Sequence, residues 1–527
     1  MASVRTVPTN RTTRGRTAPP VRRPPVTVVA GEPLGAGTDL DGVDVLAVTV
    51  ARPKGSDAPR PDAAARAAAA RYDVDLDAVL AGEKVSGRAG EVVRVPVLRD
   101  GLPRRLVLLG TGAGEPADLR RAGAALGRST RGRARLVTSL GAGSGEAGTR
   151  AVVEGLLLGA YTAPATGTRS RDDAAPVGHV VLAGRHRDDA LARGLEHAAA
   201  TWAVRDLAVT PSNVKNPQWV VDRALEAAAD TGLLAEVWDE HGLEAEGFGG
   251  IVTVGRGSST PPRFVRLDHV PDDDVAAGRG AASRGPVVLV GKGITFDTGG
   301  LSIKPREGMV PMKTDMTGAA VVLATLAACR ALGVRRHVVG LLALAENAVG
   351  GSSYRPSDVV RHYGGRTVEV ANTDAEGRMV LADALAYADA VLDPDVLVDV
   401  ATLTGAATLG LGKRHAALYA TDERLAAGLE AAAAASGERV WRMPLVEDYM
   451  PALHSQVADL RHVSADAKIG GGSITAALFL REFAGGRRWA HLDIAGVARS
   501  DRDEHEVCKG ATGWGARVLL RWLESLR

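Results

Sequence analysis

Short apolar runs alternate with alanine-rich, helix-compatible stretches from about Thr27 to Gly184, and this alternation constrains the fold more than any other feature of the chain. Val43–Val50, Arg105–Gly110, Ala134–Ser139 and Gly178–Ala183 read as strands, and Asp62–Arg71, Pro116–Gly127 and Arg150–Tyr161 as helices. Strands separated by helices predict an α/β domain. The helical stretch Asp188–Leu207 then reaches Thr210-Pro-Ser-Asn213. A residue before proline disfavours helix continuation, so a domain junction is expected there. A second α/β region runs on to Arg527, and 527 residues suit two or three domains better than one. The expected organisation is a basic tail at 1–26, an N-terminal domain at 27–187, a linker helix at 188–209 and a larger domain at 210–527.

Residues 1–26 hold six arginines and no acid among Pro and Thr. Such a segment cannot bury enough apolar surface to order itself, so disorder is expected. Aromatics make up only 4% of the chain against 45% hydrophobic residues, which leaves Ala, Val and Leu to build the core. With 64 Lys+Arg against 62 Asp+Glu, no whole-molecule field draws in nucleic acid or an anionic membrane. Cys329 and Cys508 form neither a disulfide framework nor a CxxC knuckle, which fits a reducing compartment. No uncharged apolar run reaches the ~18 residues a membrane span needs. Arg22-Arg23 leads only into a short, proline-bearing stretch, so no export signal is read and a cytoplasmic location is expected. Asp272–Arg284, with its three adjacent aspartates, is expected to be an exposed loop. Gly110-Thr-Gly-Ala-Gly114 has GxGxG rather than GxGxxG spacing and reads as a tight turn, not a phosphate loop.

The chemistry begins after the apolar run Val287–Val290, read as a buried strand. It enters Gly291-Lys-Gly-Ile-Thr-Phe-Asp-Thr-Gly-Gly300, whose glycines permit close approach of backbone or ligand. Lys292 and Asp297 lie in that segment, Lys304 just beyond it, and Asp315 in a polar segment, Met312–Ala320, that opens a helix. Downstream stands Asn372-Thr-Asp-Ala-Glu-Gly-Arg378. If its backbone is extended, Asp374, Glu376 and Arg378 point the same way.

These segments closely resemble the leucyl aminopeptidase family, whose signature is NTDAEGR. The resemblance also takes in Leu243–Pro262, Val290–Pro305, Met312–Ala320, Glu346–Val360, Thr402–Ala406, Gly470–Phe483 and Lys509–Arg517, most of residues 200–527. The first 200 residues share only the α/β pattern. Thr298, Met379 and Thr317 depart from the commoner residues, without changing a charge or a ligand. The resemblance implies an N-terminal α/β (macro-like) domain and a C-terminal catalytic α/β domain with a central mixed sheet flanked by helices. It implies two divalent cations, with Asp297 and Glu376 bridging them, Asp374 on one, and Lys292 with Asp315 on the other. Lys304 and Arg378 match two catalytic cations that do not ligate metal, and Arg378 would hold a bicarbonate ion as general base. Met312, Asn372, Thr402, Leu403 and Gly405 match the substrate pocket. A homohexamer is also implied.

The residue types fit that chemistry. Four carboxylates converging in a dry cleft repel one another, and two divalent ions cancel their charge if Lys292 binds as a neutral amine. Oxygen ligation with one amine suits Mg, Mn or Zn, with Mn or Zn expected. A water shared by the ions becomes a nucleophile at neutral pH, while Lys304 stabilises the developing oxyanion. The activity implied is release of N-terminal residues, leucine and other mainly apolar ones, from peptides with a free amine. His362, His462, His491 and His505 are not needed as ligands, and Asp493 reads as a supporting residue. Some bacterial members of the family also bind DNA. That role needs a basic surface stripe, and the only dense basic run here is the tail, so the sequence does not support it. A non-catalytic scaffold need not keep the full polar set.

Overall fold

The computed structural model describes residues 23–35, 37–97, 99–164, 174–271, 285–464 and 469–526. Most of the basic tail and the whole of Asp272–Arg284 lie outside the described residues.

The N-terminal sheet contains β1 (Thr27–Gly31), β2 (Val45–Ala51), β3 (Arg60–Pro61), β4 (Val92–Pro96), β5 (Arg105–Gly110), β6 (Arg135–Thr138) and β7 (His179–Ala183). Its order is β1-β7-β6-β2-β5-β4, with β3 paired to β2. The ladder from β1 to β5 is parallel, and β3 and β4 add antiparallel edges. Helices Pro116–Ser129 and Gly145–Ala160 pack against each other over a core of Val, Leu and Ala, as the composition requires. The Gly110–Gly114 segment is a turn in which Asp118 accepts the Ala113 N–H at 3.0 Å.

The larger region adds β8 (Leu234–Trp238), β9 (Arg263–His269), β10 (Val287–Asp297), β11 (Val338–Asn347), β12 (Val359–Arg361), β13 (Thr367–Glu369), β14 (Val396–Ala401), β15 (Ala416–Ala420), β16 (Val440–Arg442), β17 (Leu460–Arg461) and β18 (Arg488–Asp493). Eight of these form a sheet of order β16-β15-β18-β14-β10-β11-β9-β8, while β12, β13 and β17 form a small separate sheet. Strands β18, β14, β10 and β11 are parallel, and β9, β8 and β15 bring antiparallel pairings, so the sheet is mixed. One face is covered by helices Asp188–Val209, Thr317–Cys329 and Ala516–Ser525, and the other by Gly249–Gly255, Glu376–Tyr387 and Gly472–Arg481.

Two features differ from the sequence reading. The strand expected to stop at Val290 continues to Asp297. Its glycines serve packing rather than a loop, because a Cβ on Gly291 would stand 2.6 Å from Ala319 Cα. Facing it, a Cβ on Gly318 would stand 2.1 Å from the Val400 carbonyl oxygen. Helix Thr317–Cys329 therefore lies directly on the backbone of β10 and β14. The second difference is Asp374–Glu376, described below.

From β10 the chain passes to β11 on one side and later to β14 and β18 on the other. The carboxyl ends of β10 and β14 thus flank a topological switch point, where α/β sheets bind ligands. No helix among the described residues is long and apolar enough to cross a membrane.

A buried ionic cluster joins the N-terminal helices to the C-terminal one. Glu154 accepts from Arg120 Nε at 3.0 Å and from Arg521 Nη2 at 2.5 Å, with His197 Nδ1 at 3.1 Å. Arg517 Nη1 stands 3.8 Å from the same carboxylate. On its other side His197 meets Glu524 at 3.0 Å.

Candidate active site

Lys292 and Asp297 are carried by β10, so the strand sets their spacing. Asp315 follows the single 3-10 turn Met312–Thr314, just before helix Thr317–Cys329. Asp374 and Glu376 come from the entry to helix Glu376–Tyr387. One carboxylate oxygen from each of Asp297, Asp374 and Glu376 lies within 4.8 Å of the other two. Lys292 Nζ reaches Asp315 at 2.8 Å and Glu376 Oε1 at 2.9 Å, and donates to the Thr402 carbonyl at 2.9 Å. Lys304 Nζ pairs with Asp297 Oδ2 at 2.8 Å and also with Asp374.

The convergence of Asp374 and Glu376 has a different cause from the extended backbone expected. Ala375 has φ −108° and ψ 36°, and Glu376 is the first helical residue. A turn feeding a helix brings the two carboxylates together. Arg378 accordingly sits in the first helical turn, where its Nη1 donates to the His462 carbonyl at 2.6 Å and its buried Nε has no partner among the described residues. The glycine of the signature also acquires a reason: a Cβ on Gly377 would stand 2.4 Å from Lys292 Cε.

Burial pushes Asp315 up to about 8 against the pull of Lys292, with Glu376 and Asp297 adding to the rise. Asp297 is pushed up to about 6 by burial and by Glu376, despite Lys304 and Lys292. Asp374 is raised too, chiefly by burial. Burial alone would lower Lys292, but Asp315, Glu376 and Asp297 outweigh it and raise it. Among the protein's own groups Lys292 is thus an ammonium, and only added positive charge in the cluster would make it a neutral ligand. Burial lowers Arg378 to about 10, which leaves it charged at neutral pH.

This cluster is short of positive charge, and Glu376 Oε2 is buried with no hydrogen-bond partner among the described residues. Carboxylates with raised pKa values, close together and partly unsatisfied, form a donor set that fits divalent cations.

Of the residues expected to line the pocket, Thr402 touches the cluster directly, its hydroxyl donating to Asp315 Oδ1 at 2.8 Å. Leu403 follows it in the turn leaving β14, and the exposed Gly405 opens the helix Gly405–Leu411. Met312 and Asn372 are half-buried on the segments that carry Asp315 and Asp374. Sequence reasoning missed Asn347 at the end of β11, whose Nδ2 donates to Asp297 Oδ1 at 2.8 Å. Its signal was a polar residue closing an apolar strand. His462 braces the signature segment, accepting the Ala371 N–H at Nδ1 (3.2 Å) and donating from Nε2 to the Asn372 carbonyl (2.9 Å). Burial, with the Arg378 charge adding, lowers His462 to about 3, so it works as a neutral imidazole.

The family model for the catalytic domain of the cytosol aminopeptidase family matches residues 202–520, and that for the N-terminal domain matches residues 45–167. A probable cytosol aminopeptidase of Desulfovibrio desulfuricans is 49% identical over 335 residues, 63% of this chain and 64% of that one. A probable cytosol aminopeptidase of Micrococcus luteus is 43% identical over 471 residues, covering 84% of this chain and 88% of that one. Among solved structures, the bottromycin maturation enzyme BotP in complex with Mn is similar, with a TM-score of 0.79 and 38% identity. That match covers 92% of this chain and 99% of BotP.

Proposed function

Since the chain belongs to the cytosol aminopeptidase family of divalent-metal-dependent hydrolases, we propose that it releases leucine and other mainly apolar residues from peptide N-termini at the Lys292 to Glu376 cluster. The observation that carries this reading is the approach of Asp297, Asp374 and Glu376 to within 4.8 Å of one another beside the Lys292–Asp315 pair.

Two ions would be held there, Mn or Zn, with Asp297 and Glu376 shared, Asp374 on one, and Lys292 and Asp315 on the other. Bound metal supplies Lewis-acid polarisation of the scissile carbonyl and a water acidic enough to attack at neutral pH. Asp315, fixed by the Thr402 hydroxyl, stands where a free α-amine would be received, which accounts for action at N-termini only. Lys304 is the more accessible ammonium, its side chain 15% exposed against 4% for Lys292. Its pairing with Asp297 and Asp374 keeps it charged, so it is placed to stabilise negative charge developing on the carbonyl oxygen. Arg378 keeps its buried Nε–H without a hydrogen-bond partner among the described residues, which suits a planar oxyanion such as bicarbonate acting as general base. Met312, Asn372, Thr402, Leu403 and Gly405 would contact the departing side chain.

The test is hydrolysis of leucine amide beside N-acetyl-leucine amide, before chelation, after it, and after Mn or Zn is restored. Cleavage of the free-amine substrate alone, lost with the metal and regained with it, is expected. No turnover by metal-loaded protein would overturn the reading. The family resemblance also supports a homohexamer, which sedimentation equilibrium would test.

A further inference from the structure

Asp493 ends β18 opposite Ala401 of β14 and is 1% exposed. Its carboxylate gathers the turn that leaves β14. Oδ1 accepts the N–H groups of Leu403 at 3.2 Å and Ala495 at 3.1 Å. Oδ2 accepts the Thr404 N–H at 3.1 Å and the Thr404 hydroxyl at 2.6 Å. That hydroxyl in turn accepts the Ala407 N–H at 3.0 Å, so its one proton is committed to Asp493. Each of these contacts is with a donor. An ionised carboxylate, which only accepts, satisfies all four, whereas an amide would set an N–H against an N–H.

The turn held in this way carries Thr402, which touches both members of the Lys292–Asp315 pair. Its carbonyl accepts from Lys292 Nζ at 2.9 Å, and its hydroxyl donates to Asp315 Oδ1 at 2.8 Å. Asp374 and Lys304 are not part of this chain of contacts. The support is therefore one-sided: it reaches the residues assigned to one ion and bypasses the carboxylate assigned only to the other.

We propose that Asp493 is a positioning residue that acts through the Thr402–Thr404 turn to set the Lys292–Asp315 pair, and so governs occupancy of one of the two metal positions. This rests on the two-ion reading given above. Groups that orient ligands from behind typically alter metal affinity about 10- to 100-fold.

The test is calorimetric titration of the metal-stripped full chain with Mn2+, for wild type, Asp493→Asn, Thr404→Val and Thr404→Ser, with an unfolding temperature for each. In Asp493→Asn one of two binding events is expected to weaken about 10- to 100-fold while the other holds, and saturating Mn2+ restores leucine amide hydrolysis. Thr404→Val shows the same one-sided loss in smaller degree, and Thr404→Ser, which keeps the hydroxyl, behaves as wild type. If Asp493→Asn does not fold, the valine and serine variants carry the comparison. Unchanged affinities, or equal weakening of both events with a lowered unfolding temperature, would overturn the role of Asp493. A wild-type chain that binds no Mn2+ would instead overturn the two-ion reading, and this proposal with it.

Discussion

Asn347 Nδ2 donates to Asp297 Oδ1 at 2.8 Å and, through its other hydrogen, to the Thr373 carbonyl at 3.0 Å. One amide thus ties the end of β11 to a carboxylate of the cluster and to the residue before Asp374. Tyr354 reinforces the second tie, its hydroxyl donating to the same carbonyl at 2.7 Å. Asn347→Leu keeps similar volume and removes both bonds. Expected is a loss of about 10- to 100-fold in metal affinity, with kcat/KM for leucine amide falling alongside it. Calorimetry with Mn2+ and steady-state kinetics check this, and wild-type values in both would show that Asn347 only fills space.

Gly377 lies under Lys292. Helix propensity alone favours alanine over glycine inside a helix by about 1 kcal/mol. Here the new methyl would meet Lys292 Cε at 2.4 Å and Nζ at 2.7 Å, with Lys292 enclosed by Asp315, Glu376 and the Thr402 carbonyl. Gly377→Ala is therefore expected to displace the lysine, weakening metal binding about tenfold or more while the unfolding temperature changes little. Metal titration beside a thermal melt reads both quantities. Unaltered metal affinity would mean that Lys292 has room the structure does not show.

How far the sequence leads depends on the range of the interaction. Lys292, Asp297, Asp315, Asp374 and Glu376 stand in short glycine-flanked segments whose charges have no place in a plain core, so their role as a set is visible before any fold is known. The α/β class is equally visible, because its strands and helices are local patterns. What stayed hidden joins residues far apart in the chain. Asp493 reaches Thr404 across 89 positions, and Arg521 reaches Glu154 across 367. No periodicity records such pairs. The end of β10 is hidden for a related reason: Gly291 and Gly293 suggest a loop, and only the fold brings Ala319 of helix Thr317–Cys329 against both. Backbone direction at Asp374–Glu376 was hidden as well, since an i, i+2 spacing converges on an extended strand and, here, at a helix entry too.

Glu154 concentrates charge where the N-terminal helices meet the C-terminal one. It is fully buried among Arg120, Arg517, Arg521 and His197. Removing one partner from a buried ionic group leaves the others uncompensated, at a cost of about 3–5 kcal/mol. Glu154→Gln is expected to lose that much stability in urea unfolding at neutral pH while the metal cluster, built from other segments, keeps its affinity. A change below about 0.5 kcal/mol, the range of ordinary surface substitutions, would show that the cluster contributes nothing net.

The same cluster sets an acid limit. Burial alone would raise Glu154, but Arg521, Arg120 and His197 outweigh it and hold the carboxyl well below its ordinary value. Glu524, facing His197, Arg150 and Arg193, is likewise lowered against its burial. A carboxyl depressed in the folded state contributes its stability in full above the unfolded value, about 4.3, and loses it as pH falls toward the folded value. Stability should therefore fall with acid below about pH 4.3 as both groups take up protons. Many other carboxylates titrate in that range, so the decisive quantity is the difference between wild type and Glu154→Gln. A protonated glutamate resembles glutamine, and the gap in urea midpoint is expected to be widest at pH 7 and to narrow steadily as the pH drops below 4. A gap of constant size from pH 7 to pH 3 would mean that Glu154 holds the helices together by shape and hydrogen bonding rather than by its charge.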